Sequence, residues 1–179
     1  ISRNAWRIAG IVRSLLDYAH SSTSQAARAQ INDIVKQTLL LLEHQFATWA
    51  NITITKYLAE GIPDIVCDPN KITQVLINLL TNARDAMPDG GGIEIRSRYD
   101  SKNQNVIVSI SDTGEGISIA IQTKVFDPFF TTKPVGSGTG LGLSISQSIL
   151  RAHNGSLGLE SSSKEGSVFS IPLPLYKPE

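Results

Sequence analysis

Glycine stands at every second place from Gly136 to Gly142 in the stretch KPVGSGTGLGLSIS, just ahead of a segment with helical spacing. Chain this free is costly to order, and binding an anion could offset that cost. Glycines before a helix aim free backbone N–H groups at a phosphate or carboxylate. The loop is not a P-loop, since G-x-x-x-x-G-K-[ST] is absent, and no G-x-G-x-x-G joins a strand to a helix. Taken alone it also reads as a mobile linker. Upstream, Gln74, Asn78 and Asn82 lie four apart, so a helix would stack three amides along one side. Asparagine is a mediocre helix former, which makes two of them in mid-helix a local sacrifice. Alone they read as a solvated polar face. Asp112-Thr-Gly-Glu-Gly-Ile117 directly follows a strand pattern and alone reads as a tight turn. Residues 126–133, FDPFFTTK, place three phenylalanines in one loop, which alone reads as an apolar plug.

The elements that must position these groups follow from hydrophobic period. Asp68-Pro69 is an N-cap with proline at the first helical position. That helix is expected to reach about Met87, burying Ile72, Val75, Leu76, Leu79, Leu80 and Ala83, and the DGGG at 89–92 ends it. Residues 93–99 and 106–111 are predicted strands around a polar turn. Residues 141–152 suit a helix closed by Asn154-Gly155, with final strands at 156–161 and 167–173. Upstream, a helix from Asn32, read as its N-cap, runs toward Phe46, followed by strands at 52–57 and 65–67. Ile1, Ala5, Ile8, Val12, Leu15 and Ala19 form a helical seam, and SSTSQ at 21–25 reads as a linker or helix end. The order predicts an α+β protein, a two-layer α/β sandwich: one mixed, mostly antiparallel sheet with helices on one face.

Composition narrows the function. With 41% hydrophobic and 18% charged residues, the 179-residue chain is that of an ordinary globular protein. Sixteen basic and sixteen acidic side chains cancel, which speaks against a nucleic-acid or anionic-membrane surface. The single cysteine, Cys67, excludes an internal disulfide and a cysteine-built zinc site. No apolar run is long enough to span a bilayer. The first residue is Ile1 rather than Met, so the chain is expected to be a piece of something longer.

The succession Asn78/Asn82, Asp112-x-Gly114-x-Gly116, Phe126-x-Pro128-Phe129-Phe130 and Gly138-x-Gly140-x-Gly142 resembles the N, G1, F and G2 boxes of sensor histidine kinases. Their catalytic domain has the Bergerat fold of the GHKL superfamily, shared with DNA gyrase and heat-shock chaperones. The resemblance covers about residues 31–173, and NLLTNARDAM and FFTTKPVGSGTGLGLSIS look most like the nitrogen-regulation type. Residues 1–20 resemble the second helix of the dimerisation and phosphoacceptor domain. The implied organisation is part of that domain at 1–22, a linker at 23–30 and the ATP-binding domain at 31–176.

The resemblance implies transfer of the ATP γ-phosphoryl to a histidine, for relay to a response-regulator aspartate. It implies ATP and Mg²⁺ as cofactors, a homodimer through the N-terminal helices in a four-helix bundle, and a receiver-domain partner. It implies a cytoplasmic domain without nucleic acid or direct membrane contact. Asn82 would ligate Mg²⁺ through its amide oxygen, which suits a hard cation. Asp112 would accept a hydrogen bond from the adenine amino group, and Gly114 and Gly116 would bring the backbone up to the base near Ile117. Ser167 would reach adenine through water. Phe126, Phe129 and Phe130 would anchor a lid. Lys133, with Gly138, Thr139, Gly140, Leu141, Gly142 and Leu143, would close over the phosphates. Asp85 joins this nucleotide set at a place where many members carry a basic residue, and neighbouring Arg84 could replace that charge only by turning inward. The catalytic set is Asn78, Asn82 and Lys133. Asn78 stands where the superfamily's ATPases hold a water-activating glutamate. An amide is no base, so hydrolysis should be slow and the phosphoryl kept for an imidazole.

The phosphoacceptor box, histidine and an acid followed by Thr or Asn before proline, is missing. His20 precedes Ser-Ser-Thr, His44 has Trp49 in place of the proline, and His153 precedes the helix stop. All three read as structural, and the acceptor is expected upstream of Ile1. The alternatives are a GHKL-fold ATPase and a kinase-inactive nucleotide-sensing module. The absence of a glutamate at position 78 argues against the first, and intact Asn82 and Asp112 against the second. A serine kinase of the anti-sigma-factor type is disfavoured by the well-formed phenylalanine box.

Overall fold

Ile93 and Ile95, then Val106, Val108 and Ile110, then Phe169, Ile171 and Leu173 alternate along three strands, and all are buried. Period-two alternation turns each set to one side of its strand, so the strands pair into a sheet with one apolar face. The computed structural model describes residues 26–46, 49, 51–134 and 138–176. The seam at residues 1–19 and residues 135–137 of the glycine loop lie outside them. The elements are β1 (Ala27–Ala29), α1 (Ile31–Phe46), β2 (Ile52–Leu58), β3 (Ile65–Cys67), α2 (Pro69–Asp85), β4 (Gly91–Asp100), β5 (Asn105–Asp112), α3 (Gly142–Ala152), β6 (Gly158–Ser163) and β7 (Gly166–Pro174).

Five strands form the main sheet in the order β2-β4-β5-β7-β6. Only β2 with β4 is parallel; the other pairs are antiparallel. The register puts Ile110 between Ile95 and Phe169, and Val108 opposite Ile171, which makes the apolar face continuous. The α2 helix supplies most of the facing layer, with Ile72, Val75, Leu76, Leu79, Leu80 and Ala83 buried, and it packs on α1, α3, β4 and β5. Its start is as expected: the Asp68 side chain accepts the N–H of Asn70 at 3.0 Å and of Lys71 at 3.4 Å, with Pro69 first in the helix. Asn154 ends α3 at φ +55, and the Gly155 N–H closes on Leu150 O at 2.8 Å. This is the two-layer α+β sandwich expected from the sequence.

Leu76 is 2% exposed on the inner stripe of α2. Leu76→Ala is expected to cost about 2–5 kcal/mol, the range for a cavity left by a core leucine, and urea unfolding will measure it.

Two expectations need correction. Asn32 is not the N-cap, because α1 already starts at Ile31 and the Gln30 carbonyl accepts the N–H groups of Asp33 and Ile34. Asn32 instead donates to Ala59 O at 2.8 Å and accepts from Ser97 Oγ at 2.7 Å, so tertiary partners took the amide that local capping would have used. Residues 27–29, read as linker, form β1, antiparallel to β3 with Ala27 opposite Cys67. Arg28 pairs with Asp64, and Gln30 Nε2 donates to Asp64 Oδ1 at 2.6 Å, fastening the entry of the chain to the folded unit.

Candidate functional site

The carboxyl end of β5, the polar side of α2, the 115–134 segment and the glycine loop enclose one cavity of about 1190 Å³. Asn78, Asn82 and Asp85 line it from α2 and Asp112 from β5. Gly116, Ile117 and Ser167 line it near Asp112, and Lys133, Gly138, Thr139, Gly140, Gly142 and Leu143 complete the wall. Residues as far apart in the chain as Asn78 and Ser167 thus face one space, because β5 lies under α2 and the glycine loop leads into α3 beside it.

At one end sits Asp112, 7% exposed. Its carboxylate accepts the Gly114 N–H at 2.9 Å, and burial pushes its pKa up while the backbone N–H groups of Gly114 and Ser167 pull against that. The walls here combine the apolar Ile110, Ile117 and Phe169 with the hydroxyls of Ser162 and Ser167. Ser162, which the sequence reading missed, accepts the Ile117 N–H at 2.7 Å and lies 3.0 Å from Ser167 Oγ. Nothing in a serine-rich strand marks that hydroxyl; only the β6–β7 pairing aims it. Gly116 has φ +69, and a Cβ on it would sit 1.7 Å from Ser163 O, so no other residue fits.

Folded Asp112 keeps its proton to higher pH than the unfolded chain does. Between the ordinary value of 3.8 and the raised one the folded state therefore holds the extra proton, and its stability falls as pH rises through that window. Unfolding measured across the window should show this slope in the wild type and a flatter one in Asp112→Asn.

At the other end the groups are polar. Asn78 Nδ2 donates to Ser146 Oγ at 3.0 Å. Lys133 Nζ reaches Asn82 Oδ1 at 3.4 Å and Asp85 Oδ2 at 2.5 Å. Arg84 does not turn inward: it pairs with Asp85 at 2.6 Å and lies over the Trp49 ring, 5.3 Å from its centroid. Lys133 is therefore the cation presented to the cavity by this group.

Gly114, Phe126, Phe129 and Leu141, all expected at the site, do not line the cavity. Gly114 faces the residue that caps α2 instead, where a Cβ would come within 2.5 Å of Ala86 O. Leu141 is buried as the residue before α3, its N–H bonded to Thr139 Oγ1 at 3.3 Å. Phe126 packs edge-on against Phe169, ring centroids 6.3 Å apart, and is half-buried against the core. Among its neighbours, Phe130 lines the cavity and Phe129 is exposed, with its N–H on Gly140 O at 2.9 Å. That bond joins the phenylalanine loop to the glycine loop. His153 is structural, as expected: its Nε2 accepts the Asp68 N–H at 3.0 Å and its Nδ1 donates to Ile149 O at 2.7 Å. His20 and the side chain of His44 lie outside the described residues.

Chemically, the cavity offers a hydrogen-bond acceptor beside apolar walls at one end and, at the other, a cation paired with the Asp85 carboxylate and flanked by two amides. A flat heterocycle bearing an exocyclic N–H and a polyphosphate tail matches both.

Residues 67–177 match the family described as histidine kinase-, DNA gyrase B-, and HSP90-like ATPase. The chain is 37% identical over 165 residues to the signal transduction histidine-protein kinase AtoS of Escherichia coli (strain K12), covering 92% of this chain and 26% of that protein. It thus spans about a quarter of that relative's length. The catalytic domain of histidine kinase ThkA, in a nucleotide-free form, superposes with a TM-score of 0.73 at 32% identity, covering 84% of this chain and 95% of that one. Histidine kinase ThkA in complex with the response regulator protein TrrA gives 0.80 at 27% identity, over 98% of this chain and 49% of that one.

Proposed function

Because the chain belongs to the histidine kinase-, DNA gyrase B- and HSP90-like ATPase family, we propose that it is the ATP-binding catalytic domain of a sensor histidine kinase and delivers the γ-phosphoryl of ATP to a histidine imidazole. The observation that carries this reading is one cavity with Asp112 at its apolar end and Asn78, Asn82 and Lys133 at its polar end. The Asp112 carboxylate selects adenine, whose amino group donates to it; guanine would turn a carbonyl oxygen toward the same carboxylate. Ser167 and Ser162 sit beside it to hold a water.

The polar end fits Mg²⁺. Asn82 Oδ1 and Asp85 Oδ2 both lie against the Lys133 ammonium, so their oxygens are already arranged to draw a cation. Among the described residues no cluster of three or more His, Cys, Asp or Glu could hold a metal alone. That suits an ion carried mainly by phosphate oxygens and water, with one amide ligand from Asn82. When bound, Mg²⁺ would neutralise phosphate charge for in-line transfer. Lys133 adds a positive charge at the same end. Asn78 offers no base, so water is not activated and the phosphoryl waits for the imidazole.

The acceptor histidine, a homodimer through residues 1–22, a receiver-domain partner, a cytoplasmic location and the nitrogen-regulation type all belong to the proposal. Likeness to AtoS and to ThkA in its complex with TrrA supports the kinase and partner parts. No described helix is long and apolar enough to cross a membrane.

Calorimetric titration with Mg-ATP and Mg-GTP tests the nucleotide, and tighter ATP binding is expected. Mixing the chain with a separate dimerisation domain and labelled ATP tests the reaction. The label should appear on that domain and be acid-labile and base-stable, as a phosphoramidate is. Equal affinity for both nucleotides would remove the adenine assignment, and an acid-stable label on serine or threonine would make this a serine kinase. Asn78→Glu should raise ATP hydrolysis relative to transfer, a ratio read from free phosphate against labelled acceptor.

A further inference from the structure

Gly142 and Ser146 are four apart and share one face of α3, and the Asn78 amide lies against both. A Cβ on Gly142 would stand 2.2 Å from Asn78 Oδ1, so the amide oxygen occupies the space that glycine leaves. The amide nitrogen donates to Ser146 Oγ at 3.0 Å, and Ser146 is 1% exposed. One small residue supplies room and one hydroxyl supplies a partner. The oxygen lies beside the amino end of α3, whose preceding residue, Leu141, makes no side-chain cap. Unpaired N–H groups and the helix dipole make that end positive, which favours an amide oxygen there over an NH₂ group.

We infer that Ser146 is a positioning residue: it fixes the Asn78 amide with its nitrogen inward and its oxygen toward the phosphate end of the cavity. The inference rests on the proposed nucleotide reading only for what that oxygen faces. Without the hydroxyl, the Asn78 N–H group loses its buried acceptor and the amide is free to turn. A purely steric contact between α2 and α3 would be served equally well by alanine.

Ser146→Ala is the test, since alanine is the best helix former and adds no bulk. Nuclear magnetic resonance on nitrogen-labelled protein follows the Asn78 side-chain amide. In the wild type its two protons should be separate and slow to exchange; in Ser146→Ala they should approach free-amide shifts and exchange roughly tenfold faster, as an unpaired group does. Affinity for a non-hydrolysable Mg-ATP analogue should fall by about three- to tenfold and that for Mg-ADP by less than about twofold, and in an Asn78→Ala background the serine change should add nothing. Unchanged Asn78 amide signals in Ser146→Ala would overturn the inference. So would an equal loss for both nucleotides that adds to the Asn78→Ala effect, because that is the mark of packing alone. If the wild type binds neither nucleotide, the proposed function fails, and the amide exchange alone still decides whether Ser146 positions Asn78.

Discussion

Asn82→Ala is expected to abolish phosphoryl transfer to a supplied acceptor domain while leaving the protein folded. Alanine is the better helix former, and Asn82 is only partly buried on the cavity side of α2, so thermal stability should not fall. What disappears is the amide oxygen that faces the Lys133 ammonium and, on the proposed reading, ligates Mg²⁺. Losing one preorganised group at developing phosphate charge lowers rates by on the order of a hundred- to a thousandfold, which would put transfer near background. The sharper readout is the metal dependence of binding. Wild-type affinity for ATP should rise when Mg²⁺ is added, and in Asn82→Ala that rise should shrink. Transfer that survives the substitution, or a loss accompanied by unfolding, would remove Asn82 from its role.

The second large effect is at the opposite end of the cavity. Asp112→Asn should weaken ATP binding by about 1–3 kcal/mol, roughly one to two orders of magnitude in affinity, because an NH₂ group then meets the adenine amino group. The same substitution should leave the fold as stable at neutral pH, or more so. Burial is what pushes the Asp112 pKa up, and its removal relieves the cost of an ionised carboxylate that is 7% exposed. The asparagine oxygen can still accept the Gly114 N–H that Asp112 Oδ1 now takes at 2.9 Å. Binding and stability should thus move in opposite directions. Calorimetry and urea unfolding on one preparation would show it. A loss of both together would mean that Asp112 serves the turn rather than a ligand.

Much of this site was legible because its parts are local patterns. An N-cap with proline after it starts a helix wherever it occurs, since the cap bonds run to residues two and three places on. Alternation in 93–99 and 106–111 reports the buried face of a strand before any partner is known. The two asparagines needed only the helical repeat to share a side, and the cavity does lie on that side. The lone cysteine, buried with its thiol pushed up to about 11, needed no fold at all to exclude an internal disulfide.

The remainder depended on distance in space between residues far apart in the chain. Ala-Arg-Ala at 27–29 has no period to read, and it becomes a strand only because β3 offers an unpaired edge. Asn32 looks like a cap because asparagine competes for nearby N–H groups, yet Ala59 O and Ser97 Oγ win it from across the fold. The three phenylalanines of one loop part ways for the same reason. Phe126 meets Phe169, Phe130 meets the cavity, and Phe129 meets solvent, a division that no hydrophobicity scale contains. The sequence determined the types and order of the chemical groups and the elements that carry them, because those follow from bonds a few residues long. Only the tertiary structure decided that Lys133 faces Asn82 and Asp85, that Arg84 turns to Trp49, and that Ser146 holds Asn78. Each of those pairs is made by α2 meeting a segment about 35 to 70 residues away in the chain, and a side chain takes the partner that packing brings within reach of a hydrogen bond or a ring face.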